Sequence, residues 1–423
     1  MKEDKPTTSN YCKQKYHRRY IILPVIILLC VIAGYVNRTP RDSESIRESE
    51  TIIRQTAAKL LTKDPNNPKD PYDLTDKDFS QIIKFKINGL ERLHSTQNIN
   101  SRHETFRPVK PFTLSNIRIL EKFTNLQELE LSYIFHPEKD IPRWMKILER
   151  FGFIDLEERF FIDLKPLENL TKLTHLNLRY TTIKNIMPLA NLTNLETLDL
   201  SSTLVSDLTP LGRLKNLLIL DISCTNVSDA GSLRELTNLQ ELNLSNTQVF
   251  DLEPVSRLIN LQSISFRLTE ATDIEPLRGL ANLKKLYIAE THISDLEPIK
   301  KLINLKELTI NDTQVSNFEP LRELPNLETL SIRNNRISNL EPLKGLIKLK
   351  SLDVSVTNVS DIEPLRGLTN LQKLYLNFTQ ITNLELLKEL KNLKTLSIGD
   401  CKNITDDQAE YLRKALPELK IYR

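Results

Sequence analysis

The side chains that carry most metal and nucleophile chemistry are sparse in this 423-residue chain, which holds six histidines and four cysteines. His94, His103, His136, His175 and His292 are scattered, and none has a ligand-like partner at helical or strand spacing. Cys12, Cys30, Cys224 and Cys401 match no CxxC pattern, and a disulfide scaffold would be far denser, so unpaired thiols are expected. No HExxH, GxSxG, Walker or GxGxxG motif occurs. Only 9 glycines are present where average usage would give roughly thirty, and nucleotide-binding loops need them. One carboxylate pair could do chemistry. Asp199 and Asp221 take the same position in neighbouring strands, about 4.8 Å apart, where they could bind Ca²⁺ or share acid–base work. No third carboxylate or base converges there and Asn243 continues the row, so a solvated polar ladder is expected. The chain reads as no enzyme, with no cofactor and no metal.

Bulk composition narrows the class further. Apolar residues make up 39% and charged residues 27%, too hydrophobic for disorder and too charged for a polytopic membrane protein. The 58 basic and 55 acidic residues nearly cancel, leaving a net charge of +3 and no overall field to draw in nucleic acid.

What positions the polar residues is a repeat. A unit LxxLxLxxTx[IV] begins at Leu173 and returns at Leu195, Leu217, Leu239, Leu261, Leu283, Leu305, Leu327, Leu349, Leu371 and Leu393, always 22 residues on. Leu126-Leu129-Leu131 and a degraded Leu148-Phe151-Phe153 fit the same template, Ile82-Phe85-Ile87 reads as a first rung, and Leu419 and Ile421 as a last. Within a unit, Leu198 and Leu200 point inward from a short strand and Leu195 closes the same layer. The chain turns at Thr203, and Val205, Leu208, Leu211 and Leu214 complete the apolar stack. Asp207 stands where a helix cap is wanted, with Pro210 just behind it, so the return path is a short 3₁₀ or single-turn helix. Glu-x-x-Lys/Arg pairs such as Glu275/Arg278 and Glu363/Arg366 lie on the outer rim and mean solubility. The Asn-x-Ser/Thr sequons arise from the repeat itself and are no sign of glycosylation.

The blocks LTNLETLDLSSTLVSDLTPLGRL and LPNLETLSIRNNRISNLEPLKGL resemble the 22-residue leucine-rich repeats of the internalin and SDS22-like class. That resemblance implies an α/β leucine-rich repeat solenoid of about 13 rungs over residues 75–423, with a parallel concave sheet and a short 3₁₀ or helical convex side. It also implies a non-catalytic binding protein. Two features depart from the pattern. The usual asparagine ladder at the turn is mostly threonine (Thr181, Thr203, Thr225, Thr247, Thr269, Thr291, Thr313, Thr357, Thr379), with Asn335 the exception. No LPxTG-like sorting signal or Ig-like module follows, so a wall-anchored role is not expected. A helix at about Asp406 to Leu416 should cap one core end, and Leu74 to Ile87 the other.

Ahead of the repeats, Tyr20 to Val36 is an apolar run of 17 residues behind Lys13, Lys15, Arg18 and Arg19. As a helix it would span about 25 Å, enough for a signal anchor. The expected organisation is a cytoplasmic tail (1–19), a transmembrane helix (20–36), a proline-broken stalk (37–74) and the repeat domain (75–423). Basic residues favour the tail inside and the repeats on the extracytoplasmic side of a single-pass membrane protein. A secreted form cleaved after Ala33 is the alternative, and a cytosolic phosphatase regulator a further one. Binding is expected on the concave sheet, at the third, fifth and seventh residues of each unit. Those positions run acidic at Glu128, Glu130, Asp199, Asp221 and Glu241, then carry Arg267, Lys285, Tyr287, Arg333, Lys373 and Tyr375. Tyr and Arg are enriched at binding hot spots, so a protein ligand, or a glycan, is expected there.

Overall fold

A computed structural model of the chain describes residues 54–55, 57–58, 74–88, 117–132 and 162–423. They form one sheet of fourteen parallel strands, β1 to β14, hydrogen-bonded in strict chain order. β1 is Lys84–Asn88 and β2 Glu128–Ser132; from β3 (His175–Asn177) to β13 (Thr395–Ser397) a three-residue strand returns every 22 residues, and β14 is Lys420–Tyr422. The register repeats without slippage, with Leu198 opposite Leu220, Leu286 opposite Leu308 and Leu330 opposite Leu352. Because side chains alternate along a strand, this register puts every central leucine on one face. Leu195, Leu198, Leu200, Leu211, Leu214 and Leu217 are all fully buried, and the same positions are buried in each later rung.

The convex side is built from 3₁₀ turns such as Thr209–Arg213, with Pro210 early in the turn, where its missing N–H costs little. Successive i→i+3 bonds run from Leu211 N to Leu208 O (2.9 Å), Leu214 N to Leu211 O (2.9 Å) and Leu217 N to Leu214 O (3.0 Å). Each bond brings another leucine inward. Asp207 is not the cap residue itself. It stands two residues before the turn, where its Oδ1 accepts the N–H of Thr209 at 2.8 Å while the intervening Leu208 is buried. Asp251, Asp273, Asp295 and Asn317 make the same bond to the residue two ahead. The short polar side chain fixes the corner that a longer one could not reach.

Two ladders of polar side chains run along the rungs, and the second ties each rung to the one before. On the strand-exit side the threonines are buried, and Thr203 Oγ1 donates to Leu200 O at 2.7 Å, as Thr225 does to Ile222 O at 2.6 Å. A threonine satisfies a carbonyl of its own rung. Asn335 does more, donating to Ile310 O of the rung before and to Ile332 O of its own while its Oδ1 accepts from Thr313. Cys401 stands in the same row, its Sγ 3.0 Å from Leu376 O. The second ladder is of asparagine and lies just ahead of the strands. Asn194, Asn216, Asn238, Asn260, Asn282, Asn304 and Asn326 each donate to the carbonyl 23 residues back, at 2.7–3.0 Å. Where lysine replaces it, as at Lys348, the ammonium reaches the previous asparagine's Oδ1 instead, at 2.6 Å.

The ends agree with the expected caps. The helix Asp406–Ala415 opens on a capping box of Thr405 and Gln408, and its Ala409 and Leu412 cover the last rung. At the other end the helix Asp76–Ser80 leads into β1. One expected rung is corrected. Leu148-Phe151-Phe153 does not stand between β2 and β3, because β2 bonds directly to β3, with Leu129 opposite Leu176 and Thr174 N on Gln127 O at 2.9 Å. The hydrogen-bonding edge of β2 that another strand would need is already taken. Those three residues, the apolar run at 20–36 and most of the stalk lie outside the described residues. Among the described residues no helix is long and apolar enough to cross a membrane.

Each rung leaves its strand through a left-handed residue, and none is glycine. The eleven run from Tyr180 to Asp400 with φ between 53° and 60°. Asn246 and Asn334 suit that conformation, whereas Val356, β-branched at φ 60°, is strained. Val356→Asn should therefore raise stability by about 1 kcal/mol, read as a higher melting temperature. An unchanged or lower value would show that packing of the valine outweighs the backbone relief.

Candidate binding surface on the concave sheet

The outward residues of β4 (Thr197–Asp199) and β5 (Ile219–Asp221) show what the carboxylate pair does. Asp199 Oδ1 accepts the N–H of Ser201 at 2.9 Å. Asp221 Oδ1 accepts both the N–H (2.8 Å) and the Oγ (2.6 Å) of Ser223, and its Oδ2 accepts from Asn243 at 3.0 Å. Asn177, Asn243 and Asp353 make the same backbone bond two residues on. The row is a bracket that shapes the strand exit, with one oxygen of Asp199 and both of Asp221 taken by protein donors. Burial pushes the Asp199 carboxyl above the ordinary aspartate range, with the Ser201 bonds opposing and the nearby Asp221 charge adding to the rise. Among the described residues, no three His, Cys, Asp or Glu side chains are grouped to hold a metal ion. Cys224 is exposed and Cys401 buried, both unpaired.

The basic and aromatic candidates come out differently from one another. Lys285 and Tyr287 on β8 (Lys285–Tyr287) face Glu307 on β9 (Glu307–Thr309). The Tyr287 hydroxyl donates to Glu307 Oε2 at 2.6 Å, and Lys285 Nζ lies 3.3 Å from Oε1. Burial, then that carboxylate, hold the Tyr287 phenol well above its ordinary pKa. Arg267 lies 3.8 Å from Glu290. These three candidates are engaged within the protein.

Lys373 and Tyr375 on β12 (Lys373–Tyr375) repeat the pair four rungs on, but the acid is gone: Thr395 stands opposite Lys373. No ion pair or side-chain hydrogen bond holds either residue among the described residues. Lys373 is exposed, Tyr375 half-buried, and Arg333, two strands earlier, has an exposed side chain. The repeat alone makes the two Lys/Tyr pairs look equivalent, and only the cross-strand partner separates them.

The structure adds a residue that sequence reading missed. Phe378 leaves β12 in the left-handed conformation, φ 55°, with 58% of its surface exposed. A bulky aromatic is costly there on both counts. The sequence held no clear signal for it, since the same column also carries Tyr180, Leu268 and Val356. A groove ahead of the strands is lined by Asn238, Asn260, Gln240, Gln262, Asn282 and Lys284. Those amides bond one another or the ladder, as Gln262 does to Gln240 at 3.2 Å.

An aspartate whose pKa is raised on folding costs stability while it is ionised, and the cost fades as pH falls through the folded pKa. Asp199→Asn keeps the acceptor that Asn177 and Asn243 use. It should raise the melting temperature at neutral pH, with the gain shrinking toward pH 4. A gain independent of pH would exclude the carboxylate charge as its source.

Comparisons with known proteins agree with this architecture. The family described as Leucine Rich repeats (2 copies) matches residues 171–213, 281–323, 325–367 and 369–414. An internalin (inlF) of Listeria monocytogenes is similar in structure, with a TM-score of 0.62 and 26% identity over 81% of this chain and 93% of that one. Internalin C2 of the same organism is 32% identical over 44% of this chain and 82% of its own, with a TM-score of 0.43. A leucine-rich repeat protein of Leptospira interrogans covers 81% of this chain and all of its own at 19% identity and a TM-score of 0.50, a likeness of fold. No curated protein matches significantly in sequence. The chain belongs to the leucine-rich repeat proteins, and its repeats are of the internalin-like class.

Proposed function

We propose that the chain is a non-catalytic binding protein that takes a protein ligand on the C-terminal half of its concave sheet. The observation that carries this is the unanswered cluster of Lys373, Tyr375, Phe378 and Arg333, next to a near-copy closed by Glu307. Basic and aromatic side chains with no internal partner suit an acidic segment bearing apolar residues. Tyrosine contributes area and a hydrogen bond at little entropic cost. The acidic side chains of the N-terminal half would repel such a ligand and orient the bound segment toward β12.

The reading includes location. The apolar run at 20–36, with its basic flank, supports a single-pass anchor that holds the repeats outside the cytoplasm. Protease added to intact cells should then digest the repeats and spare an epitope on residues 1–19. Protected repeats would reverse the orientation and favour a cytosolic regulator.

For the site, the full chain is used to capture a ligand, and variants are then compared. Tyr375→Ala and Phe378→Ala should each weaken binding by about 1–3 kcal/mol, whereas Tyr287→Ala, already spent on Glu307, should cost less. Thr395→Glu should close the second pair as Glu307 closes the first, and weaken binding as well. Binding unaffected by all of these would move the site elsewhere, and capture of an uncharged glycan would remove the acidic partner.

A further inference from the structure

The flank of the solenoid just ahead of the strands carries a feature that ligand binding on the concave sheet does not use. Ile259, Ala281, Ile303, Pro325 and Ile347 occupy one repeat position in five successive rungs, and all five are exposed. The three isoleucines expose 54–59% of their surface. With rungs about 4.8 Å apart, the row is about 19 Å long. Soluble surfaces scatter single apolar residues, but an unbroken apolar row in a repeat otherwise holding Thr or Lys at this position is different. Like the rest of the asparagine ladder, the row keeps most of its carbonyls capped. The carbonyls of Ile259, Ala281, Ile303 and Ile347 accept from Asn282, Asn304, Asn326 and Asn370 of the next rungs.

Its surroundings are basic. Within three residues of the five lie ten Lys or Arg and only two acids, Glu323 and Glu328. Six of the ten answer an acid: four a glutamate three residues before them, as Arg278 does Glu275 and Lys300 does Glu297, and Lys306 and Lys350 both Glu328. Lys284 and Lys348 meet only neutral amides. A second copy of this chain laid on the row would set lysine against lysine. The groove beside the row is lined almost wholly by amides that already bond one another or the ladder, so it offers a folded partner's apolar side chain little to grip.

We propose that this flank docks on an anionic lipid bilayer, with Ile259, Ile303 and Ile347 entering the interface and the lysines pairing with headgroups. Apolar side chains beside basic ones are what interfacial binding requires, and capped carbonyls remove the cost of taking backbone out of water. The inference does not rest on residues 20–36 spanning a membrane.

The test uses the full chain with its single tryptophan moved, Trp144→Phe with Ile303→Trp, and vesicles carrying brominated acyl chains. A control places the tryptophan at Phe250, which is more exposed than Ile303 but lies outside the row. With phosphatidylglycerol in the vesicles, the tryptophan at 303 should lose most of its fluorescence and the one at 250 should not. The loss should disappear with phosphatidylcholine alone, in about 0.5 M salt, or when Lys301→Gln and Lys348→Gln are added. If the chain sediments with anionic vesicles while the tryptophan at 303 stays unquenched, or both positions quench equally, the docking is refuted. A blue shift at 303 that depends on protein concentration without lipid would assign the row to a protein contact and overturn the proposal.

Discussion

Everything in this molecule depends on the stacking of leucines between rungs. One 22-residue circuit has an inside but cannot close it, because its three-residue strand and 3₁₀ turn leave both faces of the leucine layer open. Neighbouring rungs close those faces, so Leu198 is dry only because Leu176 and Leu220 lie on either side. Burying a leucine contributes about 2 kcal/mol, but only when both neighbours are present. The two terminal caps follow from the same constraint, since the first and last layers have no further rung to cover them.

Regular stacking makes every hydrogen bond a choice between staying within a rung and crossing to the next. The threonine row stays within, each hydroxyl closing its own turn, while the asparagine row ahead of the strands crosses. An amide carries both donors and an acceptor and can bridge, whereas a hydroxyl has a single proton to give. The regular side-chain ladder between rungs therefore lies on the entry side, while at the exit side the rungs are joined by backbone bonds and by single residues such as Asn335. The same geometry leaves no place for a strand between β2 and β3, because their facing edges are already paired.

Function in such a solenoid belongs to residues that the stacking does not consume. Asp199 and Asp221 are consumed by backbone donors, and Tyr287 and Lys285 by Glu307. What remains is Arg333, Lys373, Tyr375 and the strained Phe378 on one face, and the isoleucine row with its lysines on the flank. In the first the repeat is kept but its cross-strand acid is lost, and in the second apolar residues stand where other rungs hold Thr or Lys. Selection for stacking alone would place neither an aromatic at φ 55° nor apolar side chains in water.

The sequence by itself determined the solenoid, its 22-residue register, the inward leucines, the 3₁₀ return and the helical C-terminal cap. Each of these follows from contacts local to one unit and copied by the repeat, so periodicity is enough to read them. It also showed that Asp199 and Asp221 lacked the partners for chemistry. Tertiary structure alone decided which polar residues are free, because that depends on what the next rung places opposite: Glu307 beside Tyr287, Thr395 beside Lys373. It alone showed that Leu148-Phe151-Phe153 is not a rung between β2 and β3, since a template match says nothing about whether an edge is already paired. And it alone revealed the backbone sign at Phe378 and the exposure of Ile259, Ile303 and Ile347. An isoleucine in the sequence is apolar wherever it sits, and only the fold says whether water reaches it.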